Sequence, residues 1–183
     1  MAKVYLNPGH DQLSLKGTPG YDPGACNEEL GMYENEVALA IGELVKKYLI
    51  EAYCEVEMRQ DEDLYKVCNE ANRSGAEIFV SIHCNAFNGT AHGTETLYYP
   101  NDEDGRRLAE CINSQIVDSF EITDRGVKER SDLIVLNQTY MPAVLVETAF
   151  IDNTPHDAIL LRDDKDDFAR AIARGITDYF SEV

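Results

Sequence analysis

The 183-residue sequence has no run of about 18 apolar residues, so no helix of it is expected to cross a bilayer. It also lacks the positive balance that polyanions select. Lys and Arg number 16 against 34 Asp and Glu, a formal net charge of −18. Nucleic acid and anionic membrane surfaces are therefore not expected as direct partners. A well-solvated surface accounts for the charge, and runs such as NDEDGRR and LLRDDKDDFAR read as exposed loops and helix ends. No CxxC pair occurs among Cys26, Cys54, Cys68, Cys84 and Cys111, and their number is odd. That pattern argues against a disulfide framework or a structural zinc cluster and leaves small reduced thiols. The opening MAKVYLNPGH shows no basic segment followed by an apolar one, so no secretory signal is expected. Such a chain stays in the cytoplasm, leaves by a route that reads no signal peptide, or is trimmed from a longer protein. No repeat, low-complexity tract or Pro/Gly/Ser-rich linker divides it. With 44% hydrophobic residues, a single domain over 1–183 is expected.

What is present alternates. Strand-like runs lie near 2–7, 53–58, 77–83, 94–99, 133–137 and 143–147, and helix-like runs near 34–50, 62–74, 103–119 and 166–182. That order predicts an α/β fold: a mixed, mostly parallel sheet of about six strands flanked by helices. The short Gly-containing loop between 77–83 and 94–99 suggests that those two strands are antiparallel partners. In the first helix Val37, Ile41, Leu44, Val45 and Tyr48 recur at helical spacing and mark the buried face. Glu34 falls on that face one turn earlier, whereas Glu36 points away.

Three strand ends carry polar residues where an apolar run should simply stop. KVYLNPGHD leads to His10, EIFVSIHCNA to His83, and AVLVETAF sets Glu147 among apolar neighbours. In open α/β sheets ligands bind beyond the carboxyl ends of the strands, and all three residues belong to that edge. Taken singly, each has a plain structural account: a hydrogen-bonded strand end, a first-turn acid, a carboxylate paired with an arginine. Together, His10, Glu34 and His83 form an N/O donor set that suits Zn²⁺ with a position left open for water. Glu147, in apolar surroundings that raise its proton affinity, would stand by as general base. Cys84 should face away from His83, because strand neighbours point to opposite sides. His92 and His156 read as loop and turn residues.

At these residues the sequence resembles the zinc-dependent N-acetylmuramoyl-L-alanine amidases of the amidase-3 family. The likeness runs in order through LNPGHD, DPGA, YENEVALAI, ANRSGAEIFVSIHCNA, GTETLYY, RGVKER, MPAVLVETAFIDN and AIARGITDYF. It implies a zinc amidase catalytic domain, with His10, Glu34 and His83 as metal ligands and Glu147 as the catalytic acid. The implied reaction hydrolyses the amide between N-acetylmuramic acid and L-alanine in bacterial peptidoglycan. The family's GHG, SIHAN and VExGF stand here as GHD, SIHCN and VETAF, changes that remove none of the four residues. Asn85 is a further candidate for contact near the site, or else it shapes the turn. Arg125 and Lys128 are candidates to meet a stem-peptide carboxylate, or are ordinary surface charge. Two rival readings are a zinc peptidase cutting within stem peptides and a non-catalytic peptidoglycan-binding relative. The resemblance extends to phage endolysins, which reach the wall through membrane lesions and often carry a separate wall-binding domain; a host autolysin, sporulation or recycling enzyme is the other context.

Overall fold

A computed structural model describes residues 1–11 and 21–181. Elements follow in the order β1 (Lys3–Pro8), β2 (Cys26–Asn27), β3 (Met32–Tyr33), α1 (Glu34–Glu51), β4 (Glu55–Met58), α2 (Leu64–Ser74) and β5 (Ile78–Asn85). Then come β6 (Thr94–Tyr98), α3 (Glu103–Ser119), β7 (Asp124–Glu129), α4 (Ile134–Asn137), β8 (Ala143–Phe150), α5 (Asp157–Asp163) and α6 (Lys165–Ser181). The main sheet has six strands in the order β4-β1-β5-β8-β6-β7. The neighbours from β4 to β8 run parallel, β8 and β6 are antiparallel, and β6 and β7 are parallel. The expected mixed, mostly parallel sheet is therefore present. Residue 182, the last of the expected 166–182 helix, and residue 183 of the expected domain lie outside the described residues, as do 12–20.

Central strands β5 and β8 read as near-continuous apolar runs because both of their faces are covered. On β5, Ile78, Val80, Ile82 and Cys84 enter one core with residues of α1, α3 and α6. Phe79 enters a second core, with Tyr5, Leu97 and Leu145, beneath α2 and α4. The period of two thus sends Cys84 and His83 to opposite faces, as expected. A groove lined by His10 and His83 opens on this second face beside Leu64, Ile134 and Leu145, and Glu147 lies inside β8, which continues to Phe150 past the expected end at 147.

Two expectations fail. Residues 133–137 form no strand: Ile134–Asn137 is one short helix, α4, with Val135 and Leu136 buried against the sheet. A brief apolar run cannot distinguish a strand from a buried helical turn. The sixth strand is instead β7, in DRGVKE, whose half-exposed edge position needs no apolar alternation. The antiparallel partner of β6 is β8 and not β5, because β8 is inserted between them.

Helices α3 and α6 touch backbone to backbone. A Cβ built on Gly175 would lie 2.5 Å from the Ile112 Cα and 2.8 Å from the Cys111 carbonyl oxygen. We expect Gly175→Ala to force these helices apart at a cost of about 1–3 kcal/mol. Thermal unfolding should then show Tm lower by roughly 2–10 °C; an unchanged Tm would mean that the helices can part freely.

Candidate metal centre

The loop after β1 is shaped by what crowds it. The Gly9 N–H donates to the Ile82 carbonyl at 2.8 Å. A Cβ at Gly9 would lie 2.2 Å from His83 Cε1, so only glycine lets the chain pass the imidazole. His10 follows in the left-handed region at φ 61°. That conformation costs a non-glycine residue about 1–3 kcal/mol and is kept only where the surroundings enforce it. Gln60 supplies part of that enforcement, its Nε2 donating to the Gly9 and Asn35 carbonyls at 2.9 Å each.

Glu34 opens α1 and is buried, with 4% of its surface exposed. It does not cap its own helix. One oxygen, Oε2, lies 3.0 Å from His10 Nε2 and accepts the Ala25 N–H at 2.8 Å. The other, Oε1, lies 2.9 Å from His83 Nδ1 and accepts the Cys84 N–H at 3.0 Å. Asp22 Oδ2, 2.8 Å from His10 Nδ1, turns the ring so that Nε2 faces Glu34. Gly24, at φ +67°, leaves room for all this: a Cβ there would lie 2.5 Å from both Glu34 Oε2 and His10 Cδ2.

One donor atom from each of His10, Glu34 and His83 lies within 4.8 Å of the others. Ligands about 2.0–2.2 Å from a tetrahedral zinc sit roughly 3.3 Å apart, close to the spacing of the Glu34 oxygens from the two imidazoles. The donors and their outer support therefore fit a divalent ion. Electrostatics agree. Burial pushes the Glu34 carboxyl up, but hydrogen bonds from His10 and His83 outweigh it and hold the group well below the usual carboxylate range. Burial likewise opposes charge on His10, yet Glu34 and Asp22 raise it to about 9. Such a site calls for compensating positive charge, which a metal cation provides.

Glu147 stands beside this cluster. Its register partners are His83 on β5 and Glu95 on β6, so the three share one face of the sheet. The Glu147 Oε2 atom is enclosed and has no hydrogen-bond partner among the described residues. Burial, with Glu34 and Glu95 adding to it, raises the carboxyl to about 7, against opposing contributions from His83 and His10. Thr148 fixes the neighbouring strand by donating from Oγ1 to the His83 carbonyl at 2.9 Å. A groove of about 160 Å³ adjoins the cluster, lined by His10, Asp22, His83, Leu64, Ile134 and Leu145 among others.

The remaining candidates gather on a residue that the sequence reading did not single out. Asn85 Nδ2 donates to Glu95 Oε1 at 3.1 Å, and Arg125 Nε donates to Glu95 Oε2 at 2.8 Å. Lys128 Nζ bonds the same oxygen. Asn85 also receives the Ala86 N–H on Oδ1, which makes it a turn-shaping residue as well. Glu95 carried a signal in GTETLYY: a charged residue in an alternating strand, on the face that the next strand uses for Glu147. Ala149, where the resembled family has Gly, is fully buried in the larger core and leaves the site untouched. His92 Nδ1 lies 2.9 Å from Thr123 Oγ1, and His156 precedes α5, so both stay outside the cluster.

A sequence profile of the family described as N-acetylmuramoyl-L-alanine amidase matches residues 4–178. The chain is 36% identical to the uncharacterized protein YqiI of Bacillus subtilis (strain 168), over 98% of this chain and 85% of the relative. It is 33% identical to the endolysin of Bacillus phage SPP1, over 98% of this chain but only 65% of that protein's length. Among solved structures, an N-acetylmuramoyl-L-alanine amidase from Clostridium difficile 630 superposes with a TM-score of 0.87 at 29% identity, covering 98% of this chain and 97% of that one.

Proposed function

This chain belongs to the N-acetylmuramoyl-L-alanine amidase family, and we propose that His10, Glu34 and His83 hold a zinc ion beside Glu147 to open the amide between N-acetylmuramic acid and L-alanine of peptidoglycan. The observation that carries the reading is the pairing of a two-imidazole, one-carboxylate cluster with an adjacent carboxylate, Glu147, whose Oε2 is enclosed and has no hydrogen-bond partner among the described residues. Zinc bound there supplies Lewis acidity toward the carbonyl and toward a water. The protein does the rest. Glu34 and the imidazoles fix the ligand geometry, and Asp22 keeps His10 Nε2 turned inward. Glu147 takes the proton of the attacking water and delivers it to the departing amine of L-alanine. Its raised affinity for protons suits both halves of that transfer, because the same group must accept and then release at one pH. No helix among the described residues is long and apolar enough to cross a membrane, and the substrate is a wall polymer.

Wall digestion tests the reaction. Mass spectrometry of digested peptidoglycan should show intact stem peptides beginning with a free L-alanine amine, and muramic acid freed of its peptide. Cuts between two amino acids would instead make the enzyme a peptidase. Binding to the wall without any cut, by zinc-loaded protein, would establish the non-catalytic reading.

A further inference from the structure

Two cations converge beside the proposed catalytic edge of a strongly acidic protein. Between Thr94–Asp124 and Thr96–Val127 the β6/β7 register slips by one residue, and Gly126 sits at φ +76° in the irregularity. This bulge sets Glu95 opposite the extra residue and turns both Arg125 and Lys128 onto its carboxylate. Glu95 is well covered, with 12% of its side chain exposed, whereas Arg125 and Lys128 keep 34% and 44%. Burial opposes ionisation of Glu95, but the two cations outweigh it and hold the group below the usual range. Arg125 also lies over the Phe150 ring, 5.0 Å from its centroid. Its Nε is committed to Glu95, and its Nη1 reaches only a long 3.5 Å contact with the His92 carbonyl. The outer edge of a braced guanidinium is thus left open, and the trio carries one surplus positive charge.

Direction follows from the proposed mechanism, on which this inference rests. Glu147 gives its proton to the leaving amine, so that nitrogen lies on the Glu147 side of the metal cluster. Along the sheet the row continues from His83 to Glu147 to Glu95, and then to Arg125 and Lys128 on β7. The stem peptide therefore leaves the metal along this row. From β8 to β7 is two strand spacings, about 10 Å. From the amide nitrogen of L-alanine to the α-carboxylate of the following residue is about 7 Å of extended chain. Long Arg and Lys side chains leaning back onto Glu95 span the difference. We propose that Arg125 and Lys128, positioned by Glu95, form a receptor for the free α-carboxylate of the γ-linked D-glutamate that follows L-alanine, and that the enzyme discriminates against stems in which this group is a carboxamide.

The test compares zinc-loaded enzyme on muramoyl-L-alanyl-D-glutamate and on its α-carboxamide. A charge-assisted hydrogen bond to arginine predicts a preference for the acid of about tenfold in kcat/KM. Arg125→Gln, Lys128→Gln and the double variant should collapse that ratio toward one. Glu95→Ala should reduce it too, whereas a merely structural lesion would slow both substrates alike. A wild-type ratio near one, or a ratio kept by the double variant, overturns the proposal. An NMR titration separates this from failure of the amidase reading. The dipeptide L-alanyl-D-glutamate should shift the Arg125 Nε–H resonance of the wild type, and its α-amide should not, whether or not either muramoyl compound is cut. Equal shifts, or none, count against the receptor.

Discussion

Glu147→Gln is expected to slow amide hydrolysis about 10²–10⁴-fold with zinc still bound, the range for loss of a positioned general base. The substitution keeps the size of the side chain and removes only its ability to take a proton. Nothing in the metal cluster is anchored on Glu147: Glu34 is held by His10, His83 and the Ala25 and Cys84 amides. The fold should not suffer either. The Oε2 atom of Glu147 is enclosed without a partner among the described residues, so an ionised carboxylate there weakens the native state. Because the folded carboxyl is raised from 4.5 to about 7, the folded protein holds an extra proton between those values, and the stability this gives is lost as pH rises through that window. At pH 8 the Gln variant should therefore unfold at the same temperature as the wild type or higher. The wild-type rate should climb with pH as the base loses its proton. With the cation's charge nearby, the midpoint of that limb should lie between the ordinary carboxylate range and about 7. Near-full activity in Glu147→Gln would remove this residue from the chemistry.

The parts of the site that could be read from sequence were those fixed by period and by strand order. His83 and Glu147 interrupt apolar runs that fit buried parallel strands, and their shared edge follows from α/β topology. Glu34 was placed by the helical period of Val37, Ile41 and Val45, and its burial bears this out. Long-range support was not legible. No spacing announces that Gln60 bridges the Gly9 carbonyl of the loop after β1 to the Asn35 carbonyl in the first turn of α1, or that Cys84 contributes its amide to Glu34 although its thiol faces the other core. The β7 strand escaped because an exposed edge needs little hydrophobic patterning, and α4 was mistaken for a strand because one buried turn and one short strand share a composition. Glu95 was missed for a related reason: its meaning depends on β8 being inserted between β5 and β6, which local sequence does not encode.

His83→Ala is expected to bring zinc content on purified protein from about one ion per chain to a small fraction of that, and activity with it. Two remaining donors leave the ion half-coordinated, and alanine returns none of the lost charge balance. Chelation of the wild type should abolish hydrolysis and added Zn²⁺ should restore it, whereas the variant should recover at no moderate zinc concentration. Glu34→Gln should be as damaging, since Glu34 is the sole anion among the three donors and its two oxygens also hold the amides of Ala25 and Cys84. An outer residue gives the scale for comparison. Asp22→Asn keeps an oxygen for the Gly24 N–H and disturbs the orientation of His10, a change worth about 10–100-fold in metal affinity. The expected order of metal loss is thus His83→Ala and Glu34→Gln well beyond Asp22→Asn, with Glu147→Gln unaffected. Metal analysis alone can break this ordering without any substrate. Full zinc in His83→Ala would take His83 out of the ligand set, and equal loss in Glu147→Gln would make that carboxylate a ligand instead of a base.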